Sequence, residues 1–248
     1  MRSSTLVTAA LGLVLSLIMA APGAAADSST APARGATASP LPACRYDGVR
    51  TRYDGLRQWR KTLLDTIYKL PRSYAPGSLV STSQAGLNGG YLIRRTVIDD
   101  LSAMARAARA AGAGLAAQSA YRSYATQKAV FQGYVDRIGY ERALAVSARA
   151  GHSEHQLGTT IDFRSASSTR APWDYDDWAT TAPGGWMKSN AWRYGFVMSY
   201  PKGRRSESCY SYEPWHYRYV GRETAAAVRT QGVTLRRYLW ETWQAAPS

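Results

Sequence analysis

The chain has 248 residues, of which 45% are hydrophobic and 19% charged, and its formal net charge is +14. This length can bury one sizeable core but is too short for two comfortable domains beside a leader segment. The positive charge attracts polyanions in general, but no nucleic-acid recognition motif accompanies it. We therefore expect one folded domain and no nucleic-acid partner.

The first 43 residues do not have the composition of a packed domain. Residues 1–26 have the pattern of a signal peptide, with a charged start at Arg2, an apolar run over 6–20 and the small residues 24–26 as a cleavage site. The run is shorter than the roughly 20 apolar residues of a membrane-spanning helix, so we expect no stable span after processing. Residues 27–43 are predicted to be a disordered linker rich in Ala, Ser and Pro. Export would bring the basic chain to the cell wall or beyond it, where anionic wall polymers are candidate partners.

Cys44 and Cys209 are the only cysteines of the chain. An even count in an exported protein favours a disulfide between them, which would pin the N-terminal segment to the C-terminal half. We expect one domain over 44–248. Its predicted parts are an N-terminal helical extension over 44–90, a core region over about 91–222, and a C-terminal helix.

The residue pattern predicts helices and strands in mixed order. Apolar residues with helical spacing predict an amphipathic helix that ends before Pro71. These residues are Leu56, Trp59, Leu63, Leu64 and Ile67. Two further helices are predicted over 96–111 and 141–148, and another is predicted to end at Gly139. The β-branched and aromatic content predicts strands over 115–119, 159–163, 195–200 and 212–220. The order favours an α+β fold.

The three histidines, His152, His155 and His216, lie beside carboxylates and glycine or proline rather than in an apolar stripe. Residues 153–162 read Ser-Glu-His-Gln-Leu-Gly-Thr-Thr-Ile-Asp, and residues 213–216 read Glu-Pro-Trp-His. A single histidine is more often a structural hydrogen-bonding residue than a metal ligand. The two segments together, in this order, are far more specific than either alone.

These segments resemble the zinc motifs of the D-alanyl-D-alanine carboxypeptidases, in the group that also contains lysostaphin-type peptidases and the Sonic hedgehog domain. The stretch over 119–124, with Gln127, is similar to the family's substrate-binding segment. The resemblance runs from about Cys44 to Trp240 and departs at Thr160, where alanine is more usual. It implies a small antiparallel sheet that carries the zinc site, with helices on its flanks.

The resemblance also implies roles for individual residues. It assigns one zinc ion per chain to His155, Asp162 and His216, and assigns proton transfer from the attacking water to Glu213. Two imidazoles and one carboxylate leave a fourth coordination position open, as a catalytic zinc site requires. Arg122 is the candidate to hold the oxyanion or the terminal carboxylate of the substrate.

Four further residues near these motifs are given weaker or supporting roles. Ser153 and Gln127 are candidate substrate contacts, and for Ser153 a capping role weighs equally. We expect His152 to lie at the surface or behind the metal ligands. We expect Glu154 to be a solvated neighbour.

The resemblance implies a monomeric zinc carboxypeptidase that removes the terminal D-alanine of peptidoglycan stem peptides. Three alternatives stay open: an L,D-carboxypeptidase, a peptidoglycan endopeptidase, and a non-catalytic zinc-containing wall-binding module. Glu213 favours an enzyme over the last of these. Ser199 and Lys202 match the Ser-x-x-Lys spacing of penicillin-sensitive serine peptidases, but Pro201 interrupts the helix that this pair requires and the companion motifs are missing.

Overall fold

The computed structural model of the protein describes residues 39–245. The predicted signal peptide, and the predicted linker up to residue 38, lie outside this part. The last residues of the predicted linker are hydrogen-bonded to the domain, because the Trp240 indole donates to the Ser39 carbonyl at 2.6 Å and Arg236 donates to the Pro42 carbonyl at 3.1 Å. The packed part of the chain therefore includes residues before Cys44.

The strands form two small pairs and one larger sheet. In chain order they are β1 (Val49–Arg50), β2 (Tyr68–Lys69), β3 (Leu79–Ser81), β4 (Leu92–Arg94), β5 (Leu115–Ser119), β6 (Thr160–Ser165), β7 (Phe196–Met198) and β8 (His216–Tyr219). β1 and β2 are parallel, and β3 and β4 are antiparallel. The larger sheet has the order β5-β6-β8-β7, with every neighbouring pair antiparallel.

The helices flank this sheet. They are α1 (Ile98–Ala110), α2 (Tyr124–Ile138), α3 (Tyr140–Val146), α4 (Ala182–Asn190), α5 (Arg205–Ser208), α6 (Arg222–Gln231) and α7 (Leu235–Leu239). The predicted α+β class with a small antiparallel sheet is confirmed. Within residues 39–245, no helix combines the length and the apolar character needed to cross a membrane.

The register of the sheet decides which side chains meet. Side chains alternate between the two faces of a strand, so Ile161 and Phe163 of β6 pack into the hydrophobic core while Asp162 points to the opposite face. On the neighbouring strand, His216 is the direct cross-strand partner of Asp162. Paired residues lie on the same face of a sheet, so this register brings a carboxylate and an imidazole together.

The predicted helix over residues 56–67 is absent. Four of its five apolar residues are buried as the pattern predicted, but Leu56 is exposed, and the chain forms turns there before it enters β2. The Asp65 carboxylate accepts a hydrogen bond from the Ile67 backbone at 2.7 Å, and the Arg218 guanidinium donates to the Thr62 carbonyl at 2.8 Å. Side chains thus satisfy backbone groups that a helix would satisfy internally. The predicted N-terminal helical extension is wrong for this reason.

The N-terminal segment is joined to the C-terminal half in two ways. Cys44 and Cys209 form the predicted disulfide, with Cα atoms 5.3 Å apart. The buried Arg236 of α7 donates to Asp65 at 2.6 Å. The predicted C-terminal helix is in fact α6 and α7, followed by one wider turn over Trp240–Gln244.

Candidate metal centre

Three buried side chains from separate elements converge at one end of the sheet. His155 lies on a single 3-10 turn over Glu154–Leu157, Asp162 lies on β6, and His216 begins β8. Each offers one potential ligand atom, and these three atoms all lie within 4.8 Å of one another. His155 Nε2 is 3.2 Å from Asp162 Oδ2, and His216 Nδ1 is 3.0 Å from Asp162 Oδ1.

Gly158 allows the chain to turn sharply between His155 and Asp162. It ends the 3-10 turn in the left-handed conformation, with φ of 71°. A Cβ atom at this position would lie 3.1 Å from side-chain atoms of Leu79 and Pro76. Glycine is therefore required here both for the backbone conformation and for the close approach of the β3 segment.

The geometry of His155 suits it to hold a cation. Its Nδ1 atom lies 2.6 Å from the Ala120 carbonyl, which can only accept, so Nδ1 carries the hydrogen and Nε2 keeps its lone pair. Nε2 is buried and has no hydrogen-bond partner among the described residues. Burial, together with the nearby Arg122, lowers the pKa of His155 to about 4. A neutral imidazole with a buried, unpartnered lone pair is the form that binds a metal ion.

His216 is held from both sides by carboxylates. Its Nε2 atom lies 3.0 Å from Glu154 Oε2, while Nδ1 faces Asp162. Burial opposes the charged form, but the hydrogen bonds to Asp162 and Glu154 outweigh it and raise the pKa of His216 to about 10. A cation among the three side chains would therefore compete with a proton at Nδ1.

Glu154 is not the solvated neighbour that the sequence predicted. It is buried, and its carboxylate accepts hydrogen bonds from Ser199 Oγ at 2.6 Å and from Arg218 Nη1 at 2.9 Å. Burial disfavours its ionisation, but the Arg218 charge and the His216 hydrogen bond outweigh burial and lower the pKa of Glu154 to about 2. Because Arg218 is more than 60 residues away in the chain, local sequence gave no sign of this partner.

Glu213 stands beside the three side chains rather than among them. It lies in the loop before β8, with Oε2 3.6 Å from His216 Nδ1 and with 19% of its side chain exposed. Burial raises the pKa of Glu213 to about 7, even though the adjacent His216 acts in the opposite direction. The carboxyl is therefore poised to bind and release a proton near neutral pH.

Arg122 lies at the edge of the same cluster. Its Nη2 atom is 4.0 Å from Asp162 Oδ2, and its Nε atom is buried without a hydrogen-bond partner among the described residues. The backbone N–H of Arg122 donates to the His155 carbonyl, which ties the segment after β5 to the 3-10 turn. The guanidinium thus faces the centre and has at least one N–H donor available for a ligand.

The two weaker candidates are both close to the cluster. Ser153 Oγ accepts a hydrogen bond from the His155 backbone at 3.3 Å, which is the capping role weighed for it. Gln127 is buried, donates to the Ala148 carbonyl at 2.6 Å, and has no partner for its Oε1 atom within residues 39–245. Both residues line the cavity in front of the centre, and their contact with substrate stays a prediction.

His152 is buried and does not line the cavity in front of the three candidate ligands. Its Nδ1 atom lies 2.8 Å from the Asp65 carbonyl, and burial, together with Arg149, lowers the pKa of His152 to about 4. A neutral, buried imidazole in this contact joins the segment before the 3-10 turn to the N-terminal part of the domain. His152 therefore supports the fold behind the centre.

The Ser-x-x-Lys alternative fails on geometry. Ser199 donates its hydroxyl to Glu154, and the exposed Lys202 ammonium lies 3.3 Å from Asp177. The two side chains have separate partners and do not form the nucleophile and base pair of a serine peptidase.

The candidate centre lies in a cavity of about 700 Å³. The cavity is lined by His155, Asp162, Glu213 and His216, by residues of α2, and by an aromatic group that includes Trp173 and Trp215. A cavity of this volume leaves room for a substrate beside the three buried side chains.

The site consists of two imidazoles and a carboxylate, with a second carboxylate beside them in an open cavity. This arrangement is typical of a metal-dependent hydrolase. The chain belongs to the D-alanyl-D-alanine carboxypeptidase family, VanY, whose sequence model matches residues 90–222. It is 37% identical over 182 residues to the putative carboxypeptidase YodJ of Bacillus subtilis (strain 168). That match covers 71% of this chain and 65% of the relative, so the chain spans slightly less than two thirds of the relative's length.

Solved structures of similar proteins share the fold. The LdcB LD-carboxypeptidase superposes with a TM-score of 0.64 at 35% identity, covering 72% of this chain and 85% of that one. A mutant of the D,D-pentapeptidase VanY in complex with Zn(II) superposes with a TM-score of 0.62 at 28% identity, covering 73% of this chain and 99% of that one. The structure of VanYB in complex with D-Alanine-D-Alanine superposes with a TM-score of 0.62 at 28% identity. This match covers 73% of this chain and 97% of that one.

Proposed function

We propose that this protein is a zinc-dependent carboxypeptidase that removes the terminal D-alanine from peptidoglycan stem peptides. The observation that carries the proposal is the position of Glu213, which stands beside the cluster of His155, Asp162 and His216 in an open cavity. Membership of the D-alanyl-D-alanine carboxypeptidase family supports the same reaction.

His155, Asp162 and His216 would hold the zinc ion. The buried, unpartnered Nε2 atom of His155 fits this role, since a cation would satisfy a lone pair that nothing in the described residues satisfies. The mixed nitrogen and oxygen donor set also suits zinc, and three protein ligands leave one position open. When bound, zinc would act as a Lewis acid on the scissile carbonyl and make water acidic near neutral pH.

Glu213 and Arg122 would have separate roles in the reaction, one in proton transfer and the other in binding negative charge. The Glu213 carboxylate would take a proton from the attacking water and return it to the leaving amine, a role that suits a pKa near neutrality. The Arg122 guanidinium would grip the terminal carboxylate of the substrate or the developing oxyanion, because its donors face the centre and are not all used by the protein.

An L,D-carboxypeptidase is the second candidate. LdcB, an LD-carboxypeptidase, shares 35% identity with this chain, against 28% for VanY. The two activities differ in the configuration of the residue before the scissile bond, so the same metal centre can serve either one. We favour the D,D reaction because the matching family model describes it.

We also propose that the protein acts outside the cytoplasm. The signal-peptide pattern over 1–26 and the disulfide between Cys44 and Cys209 both fit an exported protein, since disulfides persist in oxidising compartments. Peptidoglycan, the proposed substrate, also lies outside the cytoplasm.

The test uses two synthetic stem peptides and mass spectrometry. One peptide ends in D-Ala-D-Ala, and the other ends in a single D-alanine after an L-configured centre. We expect the first to lose one D-alanine, with loss of the reaction on chelation and recovery on addition of zinc. Cleavage of the second peptide alone would assign the L,D activity instead. If both peptides stay intact under zinc-replete conditions, the carboxypeptidase assignment is wrong.

A further inference from the structure

The cavity extends well beyond the metal centre along one face of α2. Its lining includes Gln127 in the first turn of the helix and Arg137 in the last. Ten residues separate these two positions, which is about 15 Å at 1.5 Å per residue. An extended peptide advances about 3.3–3.6 Å per residue, so this length accommodates roughly four residues. The terminal alanine alone does not account for such a cavity.

Gly133 forms part of the wall at the far end. It lies in the interior of α2, where glycine is less favourable than alanine because it loses more backbone freedom on folding. Its backbone has no positive φ, and a Cβ atom added there would meet no atom of the described part of the chain within 4 Å. Neither backbone conformation nor packing within the protein explains the glycine, but the close approach of a ligand would.

Arg137 lies one helical turn beyond Gly133, on the same face of α2. Its guanidinium stacks on the Tyr134 ring at 4.7 Å from the ring centroid, and it forms no ion pair among the described residues. The carboxylates that line the cavity, Asp162 and Glu213, both belong to the metal centre. The far end therefore presents a positive charge without a negative counterpart.

We propose that the α2 end of the cavity binds the stem residues upstream of the scissile bond, and that Arg137 selects stems with a side-chain carboxylate over stems with only an ammonium group. The inference rests on the proposed function, because that function supplies the peptide. A guanidinium pairs with a carboxylate through two parallel hydrogen bonds, whereas an ammonium group there would be repelled. Diaminopimelate is the diamino acid with such a carboxylate, and lysine is its counterpart without one.

The experiment compares two stem peptides that are identical except for diaminopimelate or lysine. Their Kd values are measured by calorimetry and their kcat/KM values by release of D-alanine. The wild type should favour the diaminopimelate peptide by about 5- to 10-fold, as expected for one partly solvated charge-assisted contact. Arg137→Gln should remove this preference and Arg137→Glu should reverse it. Lys128→Gln removes the same charge from an exposed position of α2 outside the cavity and should leave the preference unchanged.

The Gly133→Ala variant tests whether Gly133 contributes to substrate binding or to the stability of the fold. Alanine should leave the melting temperature equal or higher, since it favours the helix, while it weakens binding of both stem peptides. A short acylated D-Ala-D-Ala, which does not reach the far end of α2, should be hydrolysed equally by the wild type, Arg137→Gln and Gly133→Ala. The same preference in the wild type and in Arg137→Glu would overturn the subsite. If no peptide is hydrolysed but the Kd preference follows Arg137, the subsite stands and the proposed function fails.

Discussion

The Nε2 atom of His216 lies 3.0 Å from the Oε2 atom of Glu154, and both side chains are buried. The same carboxylate accepts hydrogen bonds from Ser199 and Arg218, so it cannot turn away from the imidazole. By accepting the Nε2 hydrogen, Glu154 leaves Nδ1 of His216, which faces Asp162, as the nitrogen that a cation would bind. Partners of this kind orient histidine ligands and raise their basicity.

Replacing Glu154 should therefore weaken metal binding. We expect Glu154→Gln, which keeps the size of the side chain but not its charge, to lower zinc affinity by about 10- to 100-fold. The measurement is zinc competition with a chromogenic chelator, on protein shown by circular dichroism to be folded. Glu141→Gln, at an exposed position of α3, is the matched control. Equal zinc affinity in both variants would show that Glu154 does not support the ligand.

Glu213→Gln should separate catalysis from metal binding. The change keeps the shape of the side chain but removes the base, which typically costs about 10²- to 10⁴-fold in rate. Metal analysis should still find one zinc per chain, and affinity for the stem peptide should be retained. His216→Ala should instead lose zinc and activity together. Release of zinc from Glu213→Gln would make Glu213 a ligand and would contradict the division of roles proposed here.

The pH dependence of kcat/KM should report the same carboxyl. Burial raises the pKa of Glu213 to about 7 from an ordinary 4.5. The base works only when ionised, so kcat/KM should rise with pH as Glu213 loses its proton. A nearby cation favours the ionised form, so the midpoint with zinc bound should lie between these two values. A profile at saturating zinc that stays flat over this interval would contradict the assignment.

The disulfide should stabilise the domain without taking part in the reaction. Replacing both Cys44 and Cys209 by serine should lower the free energy of unfolding by about 2–5 kcal/mol. The cysteines do not line the cavity, so kcat/KM at a temperature where the variant is folded should match the wild type. Chemical denaturation and peptide hydrolysis measure the two quantities separately. A large loss of kcat/KM in the folded variant would contradict a purely structural role.

Features that depend on local pattern could be predicted from the sequence. The helix over 96–111 was expected from the spacing of its apolar residues and corresponds to α1, with Leu101 and Met104 fully buried. The strand over 159–163 corresponds to β6, whose β-branched and aromatic residues suit a buried sheet. The grouping of the three candidate ligands was implied by the resemblance of two sequence motifs to the zinc motifs of the family, and the structure brings these three residues together.

Arg218 contributes to both errors. Its guanidinium donates to carbonyls in the segment that was expected to be helical, 156 and 159 residues away, and to Glu154, which was expected to be solvated. Helical spacing and a polar side chain are local signals, and neither reports a buried arginine supplied by a distant strand. Contacts at this separation depend on the completed fold, so they could not be derived from the residues on either side.

The family model begins at residue 90, yet the hydrogen bonds of Arg218 reach back to Trp59 and Thr62. A fragment trimmed to the family match would lose both carbonyl acceptors, and of the guanidinium's partners among residues 39–245 it would keep Glu154 alone. A folded fragment of this chain should therefore start upstream of the segment that the family model matches and retain Trp59 and Thr62.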